Sequence, residues 1–358
     1  MILMAFALGI ASLAGVDPVS DVQNFLDLYA MPFLLYFVAR NLVVSRRDLD
    51  RFLVMVVAMG TYCGIYGVYT QLTGHVLFGG EGARAVSYTA HLRTMQGLLG
   101  TPHAFGLLFS LTIPINFYKL IAEKVPWKKL VYSLTLATMV VALFLTYKRG
   151  AWLGTIVGFV IIQQFYPQFR RLFVVLLVVA SSVLGLMWDR VSESAVVTER
   201  ISDGLATGNT RTERWQDAID LWKLNPIFGY GWDGFRRVSR QYGAVESTYF
   251  YILLSAGLAG FVPFVMVLVS VLREAIDLGR LGGQWSFVDR GLVAVFGGLF
   301  VAYMVNISTV HMNSTEALAL TWVLVGAIIG SQSDGLITAR VGRKVQEEGR
   351  GREPACTR

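Results

Sequence analysis

Charge is scarce in this chain. Asp, Glu, Lys and Arg make up 15% of its 358 residues, where a soluble domain carries about 25%. That shortfall excludes an ordinary water-soluble globule. Cysteine is almost missing: Cys63 sits inside an apolar run and Cys356 in a polar tail, so no disulfide framework is expected. The histidines His75, His91, His103 and His311 show none of the short spacings of a zinc site, and no metal is expected. No P-loop, Gly-x-Gly-x-x-Gly or Ser/His/Asp pattern stands in a plausible context. Strand signals are absent too. The apolar runs are far too long for barrel strands, which leaves helices to satisfy the backbone in lipid. Met1 to Gly15 has no basic n-region or cleavage pattern, so it is not read as a removed signal peptide. It is short for a full span and fits a chain that starts further upstream.

Apolar residues, by contrast, make up 54% of the chain, and the mean hydropathy is +0.55. They gather in runs of about 17–23 residues, long enough to cross roughly 30 Å of hydrocarbon as helices. The expected fold is an all-α polytopic membrane protein, a single bundle of about ten transmembrane helices over residues 1–330. The spans read as 1–14, 24–44, 52–70, 104–121, 130–147, 150–166, 172–188, 248–272, 289–309 and 315–330. Taken in alternation, they put Arg46/Arg47, Lys124–Lys129, Arg170/Arg171, Arg273–Arg290 and the tail on one side. That side is cytoplasmic by the positive-inside rule, with both termini inside. The net charge of +7 is thereby a matter of topology, and no nucleic acid is expected. The other side receives Val16–Val22, Gln71–His103, Lys148–Arg149, a large loop at 188–247 and the short turn His311–Thr315. Residues 331–358 form a basic cytoplasmic tail, expected to be disordered and held near anionic lipid.

Some cations stand on the wrong side of this scheme. Lys148-Arg149 occupies a tight outer connection, where a cationic pair needs a partner. Gly150, Gly154 and Gly158 follow at four-residue spacing, a small-xxx-small face for close helix packing. Arg149 is thus fixed at the start of a tightly packed helix, although an arginine snorkelling at headgroup level fits the same pattern. In the large loop, Thr210 to Leu224 reads as a short amphipathic helix. Thr210 and Glu213 form a capping box, and Asn225-Pro226 supplies the stop. Trp215, Ala218, Ile219 and Trp222 share one face; Arg211 falls in the middle of it, Arg214 at its edge, and the acids point away. A guanidinium facing a partly apolar cleft calls for an anion, and its planar fork suits phosphate bidentately. A salt bridge to a neighbouring carboxylate is the alternative. Arg84, His91 and Arg93 in the earlier outer segment can reach an anion or simply decorate a loop. Glu246 ends the large loop directly before an apolar run. Desolvated there, it can accept a proton; equally, it can be an acid stabilised at a helix N-terminus.

In combination, these segments resemble the O-antigen ligase/polymerase superfamily of bacterial envelope glycosyltransferases, over roughly residues 80–270. Tyr147-Lys148-Arg149-Gly150-Ala151-Trp152-Leu153-Gly154 is similar to its Arg-Gly-Ala-Trp-Leu-Gly stretch. Arg214-Trp215, followed by Asn225-Pro226-Ile227-Phe228-Gly229-Tyr230-Gly231, resembles its arginine helix and Pro-x-x-Gly-x-Gly turn. Glu246-Ser247 with Gly257-Leu258-Ala259-Gly260 resembles its His-Asn/Ser-x9-Gly-x-x-Gly signature, and Gly100 to Phe105 its Gly-x-Pro-Asn-x-Phe/Ala segment. The resemblance implies transfer of a glycan from an undecaprenyl-diphosphate carrier to an acceptor hydroxyl on the outer face of the bacterial cytoplasmic membrane, without cofactor. It further implies that Arg149, Arg211 and Arg214 hold the diphosphate as leaving group and that Glu246 stands where the family has its histidine base. Lys148, Arg93, Trp215, Gly229 and Gly231 would line the substrate. Glu246 is the main departure, and His91, His103 or His311 are alternatives in space; ten spans instead of twelve is a second. Implied partners are the lipid-linked oligosaccharide, a glycan or lipid acceptor, membrane lipids and, possible but unspecified, other polysaccharide-assembly proteins. Polymerase is favoured over ligase, although no residue identifies the acceptor. A transporter or flippase is the rival, expected to show midplane charges, broken helices and inverted repeats; a non-catalytic scaffold is a third reading.

Overall fold

A computed structural model describes residues 2–13, 18–76, 87–89, 92–93, 95, 99–167, 169–170, 173–174, 212–232, 234, 245, 247–281, 288–311 and 314–332. Among these, eleven α-helices account for nearly all regular structure. They are α1 (Ile2–Leu13), α2 (Pro18–Phe25), α3 (Met31–Leu42), α4 (Arg46–Thr73), α5 (Pro102–Ala122), α6 (Pro126–Leu145) and α7 (Arg149–Phe165). The loop helix α8 (212–224) follows, then α9 (Thr248–Leu281), α10 (Arg290–Thr309) and α11 (Thr315–Ile328). A π-helical turn, Leu26–Ala30, runs α2 into α3.

Among the described residues, six helices are long and apolar enough to cross a membrane: Val19–Leu42, Arg46–Thr73, Pro102–Ala122, Pro126–Leu145, Thr248–Arg280 and Arg290–Thr309. Met4–Leu13 and Thr315–Ile328 are shorter apolar helices, and α7 has 17 residues. The span expected at 172–188 lies outside the described residues apart from two helical positions, and so does the tail. Two boundaries differ from expectation. α4 starts at Arg46 because the Ser45 hydroxyl caps the Asp48 amide at 3.2 Å, so Arg46 and Arg47 form the first turn and not the connection. α9 runs to Leu281, its last turns carrying Arg273, Glu274, Asp277 and Arg280 into the polar zone. The expectation of no strand needs correcting. Ser87–Thr89 pairs antiparallel with Leu92–Arg93, in a polar connection where hydrocarbon does not forbid an open edge.

α5 is the axis of the bundle; nearly all its residues, Pro102 to Lys119, are buried. Thr101 caps it through the Ala104 amide at 3.3 Å. The small residues expected to allow close packing do so. A Cβ built on Gly154 would stand 2.5 Å from Asn306 Nδ2, and one on Gly158 2.8 Å from the Gly298 carbonyl. Gly150 abuts Thr309 in the same way. α7 therefore lies against α10 along its length. Between α5, α7 and α10 a buried polar knot closes. The Thr155 hydroxyl donates to Ser110 Oγ at 2.9 Å, and Asn306 Nδ2 donates to Ser110 Oγ at 3.3 Å and to the Ala302 carbonyl at 2.8 Å. Buried polar groups are stable only when paired, so this knot fixes the rotation of three helices about one another.

The polar connections sort to two ends. At one end Arg46 reaches Asp289 at 2.7 Å and the Tyr118 hydroxyl at 3.0 Å, and Lys119 pairs with Asp50. Burial pushes the Asp289 carboxyl up, but the Tyr118 hydroxyl, the Leu292 amide and Arg46 together hold it below its usual range. At the other end stand His103, Lys148, Arg149, Thr248 and His311. His103 and Tyr118 are 15 residues apart on one helix, about 22 Å.

Candidate active site

The second end of the bundle takes shape from a tight turn. Thr146 and Tyr147 close α6, and Tyr147 adopts φ +53°, a left-handed conformation that a bulky residue rarely takes. Trp152 secures the turn, its Nε1 donating to the Leu143 carbonyl at 2.9 Å and its ring stacking on Phe144 at 5.2 Å. Lys148 then stands at the N-cap of α7 and Arg149 is its first residue, with no acid in the first turn. Arg149 is exposed and Lys148 half-buried. A cation at a helix N-terminus faces the positive end of the dipole, a cost of about 0.3–1 kcal/mol. The exposed backbone amides of that first turn also attract an anion.

Three contacts tie this turn to the rest of the mouth. Gly106 of α5 meets the Ala151 side chain, a Cβ there standing 2.7 Å away, which sets His103 one turn above. Gly150 abuts Thr309 at the end of α10. Thr248, at the start of α9, donates to the Val310 carbonyl at 3.1 Å. Beyond Val310, His311 stacks on Tyr251, ring centroids 3.6 Å apart at 18°. Arg149 and the residues that directly follow Glu246 thus share one end of the bundle. Glu246 itself lies outside the described residues, as do Thr210 and Arg211; of Arg93 only the strand backbone is described.

The loop helix α8 leans on this end by its C-terminal half. Ala218 and Leu221 are buried, Trp222 is half-buried, and Glu213, Gln216 and Asp220 are exposed. Lys223, 2.7 Å from Asp220, holds that carboxyl below its usual range. The buried stripe is rolled towards Leu221 and away from Ile219, the residue expected there. Arg214 lies one turn before Ala218 on the stripe, exposed where the helix projects past its packed half. Its neighbour Trp215 sits 5.9 Å from Phe250, two residues into α9.

The glycine-rich turn has a role that periodicity alone did not reveal. α9 is broken at Gly257, whose φ is +58°, and the break leaves backbone groups without helical partners. The turn supplies them. Tyr230 and Gly231 donate their amides to the Leu254 and Ser255 carbonyls at 2.8 and 2.9 Å, while Leu258 and Ala259 donate to Pro226 and Ile227 at 2.9 and 3.0 Å. Gly229 and Gly231 also have positive φ, +69° and +77°. A side chain at Gly257 would strike the Ile227 carbonyl. Next to the turn, Trp232 is fully buried among Tyr29 (5.1 Å) and Tyr251 (5.6 Å), and its indole donates to Ser12. Gly229 and Gly231, expected to line substrate, are engaged here in holding the loop to the helix. Burial pushes the Tyr230 hydroxyl up, and it donates to the Leu221 carbonyl at 2.9 Å. Among the described residues no three His, Cys, Asp or Glu side chains gather as metal ligands would.

Residues 134–265 match the family model described as O-antigen ligase. Over that stretch the chain is similar to the O-antigen ligase family. The matched stretch runs from α6 to the middle of α9 and holds Lys148, Arg149, Arg214, the glycine turn and Gly257. The match supports a likeness to the O-antigen ligase/polymerase superfamily and suggests a glycosyltransferase-like enzyme of the membrane. In fold the chain is similar to one in the solved structure "Structural coordination of polymerization and crosslinking by a peptidoglycan synthase complex". The TM-score is 0.52 at 17% identity, covering 93% of this chain and 96% of that one. At that identity the likeness is of fold alone. No curated protein matches the sequence.

Proposed function

We propose that this chain transfers glycan units from an undecaprenyl-diphosphate carrier to an acceptor hydroxyl, at the end of the bundle that carries Arg149. The single observation carrying this is the coincidence of the family match with that end: Lys148-Arg149, α8 and the start of α9 lie within 134–265 and are tied together there. In this reading Arg149, Arg211 and Arg214 neutralise the departing diphosphate, and Glu246 contributes acid–base chemistry beside Ser247. The mouth faces outward from the cytoplasmic membrane and both termini face inward, because the Arg46 end carries the basic connections. Polymerisation is favoured over ligation.

One observation favours the transporter reading: α9 is broken, as the helices of transporters are. Here, however, the freed backbone groups are taken up by the Pro226–Gly231 turn of the same chain, which leaves none of the four to coordinate an ion. Single substitutions Arg149→Ala, Arg214→Ala and Glu246→Gln, with the lipid-linked pool and the finished polysaccharide measured in cells, test the proposal. It predicts a swollen pool and lost polysaccharide; normal polysaccharide from all three rules it out.

A further inference from the structure

We infer that two copies of this chain pair side by side in the membrane along α4, with Tyr62 at the centre of the seam. The inference stands apart from the glycan-transfer reading. α4 carries two long stripes. The inner one is buried and holds Gly60, Gly64 and Gly67, which press on Thr112, Thr138 and Met95. The outer one, Met55, Ala58, Tyr62, Ile65, Tyr69 and Leu72, is exposed along the span. Its members alternate in steps of three and four residues, the repeat with which two helices pack along each other at about 20°. Lipid alone accounts for most of that stripe. Tyr62 is the exception.

Arg51 is the last charge before the apolar run of α4, and Gly74 caps the helix end. Tyr62 stands midway between them, about 17 Å from either level and so near the centre of roughly 30 Å of hydrocarbon. Tyrosines gather at the two interfaces, where the hydroxyl stays wet; Tyr69, close to Gly74, is so placed. Tyr62 is 49% exposed, and its hydroxyl bonds to no partner among the described residues. Lipid chains offer that hydroxyl no hydrogen bond, and leaving it without one is costly. A second copy removes the cost. Two copies share one topology, so their α4 helices run parallel about a two-fold axis along the membrane normal, and equal positions face each other. A hydroxyl is donor and acceptor at once, so the two Tyr62 side chains close a hydrogen bond across the axis. Ala58, one turn earlier, lets the two backbones approach. The charges at the cytoplasmic end match as well. Asp48 and Arg51 continue the outer stripe with the same three-residue step, and in a parallel pair the arginine of each copy comes within reach of the aspartate of the other. A polar residue in the seam also fixes the register of such a pair.

The test is subunit counting by single-molecule photobleaching of the full chain in proteoliposomes, together with oxidative crosslinking. The parent should be dimeric at a protein-to-lipid ratio where Ala58→Trp, which holds the two helices apart, is monomeric. Tyr62→Phe keeps the ring and loses the hydroxyl, and its dimer dissociation constant should rise about 3–20-fold. Both positions face away from the core, so helix content by circular dichroism should match the parent, which separates lost pairing from lost folding. In a chain carrying Cys63→Ala and Cys356→Ala, Ala58→Cys should crosslink to a second copy. Phe6→Cys, 66% exposed on α1, should not. A monomeric parent, a dimer that Ala58→Trp leaves intact, or crosslinking of Ala58→Cys to a different protein in native membranes overturns the inference.

Discussion

Gly257 is the residue on which the loop depends. Its φ of +58° costs any other side chain about 1–2 kcal/mol, before the clash with the Ile227 carbonyl is counted. Gly257→Ala should therefore lower the thermal midpoint of the detergent-solubilised protein and loosen the 226–231 turn, seen as faster amide exchange at Tyr230 and Gly231. An unchanged midpoint and unchanged exchange would contradict this. Trp152 offers a milder check. Trp152→Phe keeps the stack on Phe144 and loses the bond to the Leu143 carbonyl, a loss of about 0.5–1.5 kcal/mol that a denaturation midpoint would register. At this scale the sequence showed the Gly-x-x-Gly spacing but not its reason. A glycine in an apolar run reads as close packing, and the break at Gly257 exists only because a turn some thirty residues earlier in the chain is there to fill it.

Among elements, the pairing of α7 with α10 was the most legible. Glycines at 150, 154 and 158 define one face whatever the partner, and only the identity of that partner needed the structure. The loop helix was legible in part. Glu213 and Asp220 do face water while Asp217 is half-buried, and the buried stripe turns towards Leu221, because packing against the bundle end decides the roll and an isolated wheel does not contain it. Neither the Ser110–Thr155–Asn306 knot nor the Tyr251–His311 stack was visible beforehand, since each joins residues far apart in the chain. At the opposite end, Asp289 caps α10 through the Leu292 amide at 2.8 Å while meeting Arg46 and Tyr118. Its carboxyl is held below the usual value of about 3.9, so the stability it contributes is present above that value and lost as pH falls through its lower folded one. Asp289→Asn should be less stable than the parent at neutral pH, with the difference shrinking below about pH 4. A gap that persists unchanged into acid would show that the pair matters little.

For the molecule as a whole, the division into two polar ends was readable from charge and alternation, because hydrocarbon allows few other arrangements. What alternation could not supply was convergence. It put Lys148-Arg149 and the end of the large loop on the same side without saying that α10 would bring them to one place through Thr309 and Val310. The central claim is that this end consumes a lipid-linked diphosphate. The most direct measurement is release of the carrier diphosphate by purified protein in proteoliposomes containing a lipid-linked oligosaccharide and an acceptor. Arg149→Ala should slow release at least about 100-fold, the loss typical of one removed transition-state donor. Lys128→Ala, exposed at the opposite end, should match the parent. Equal release by Arg149→Ala and the parent would contradict the account.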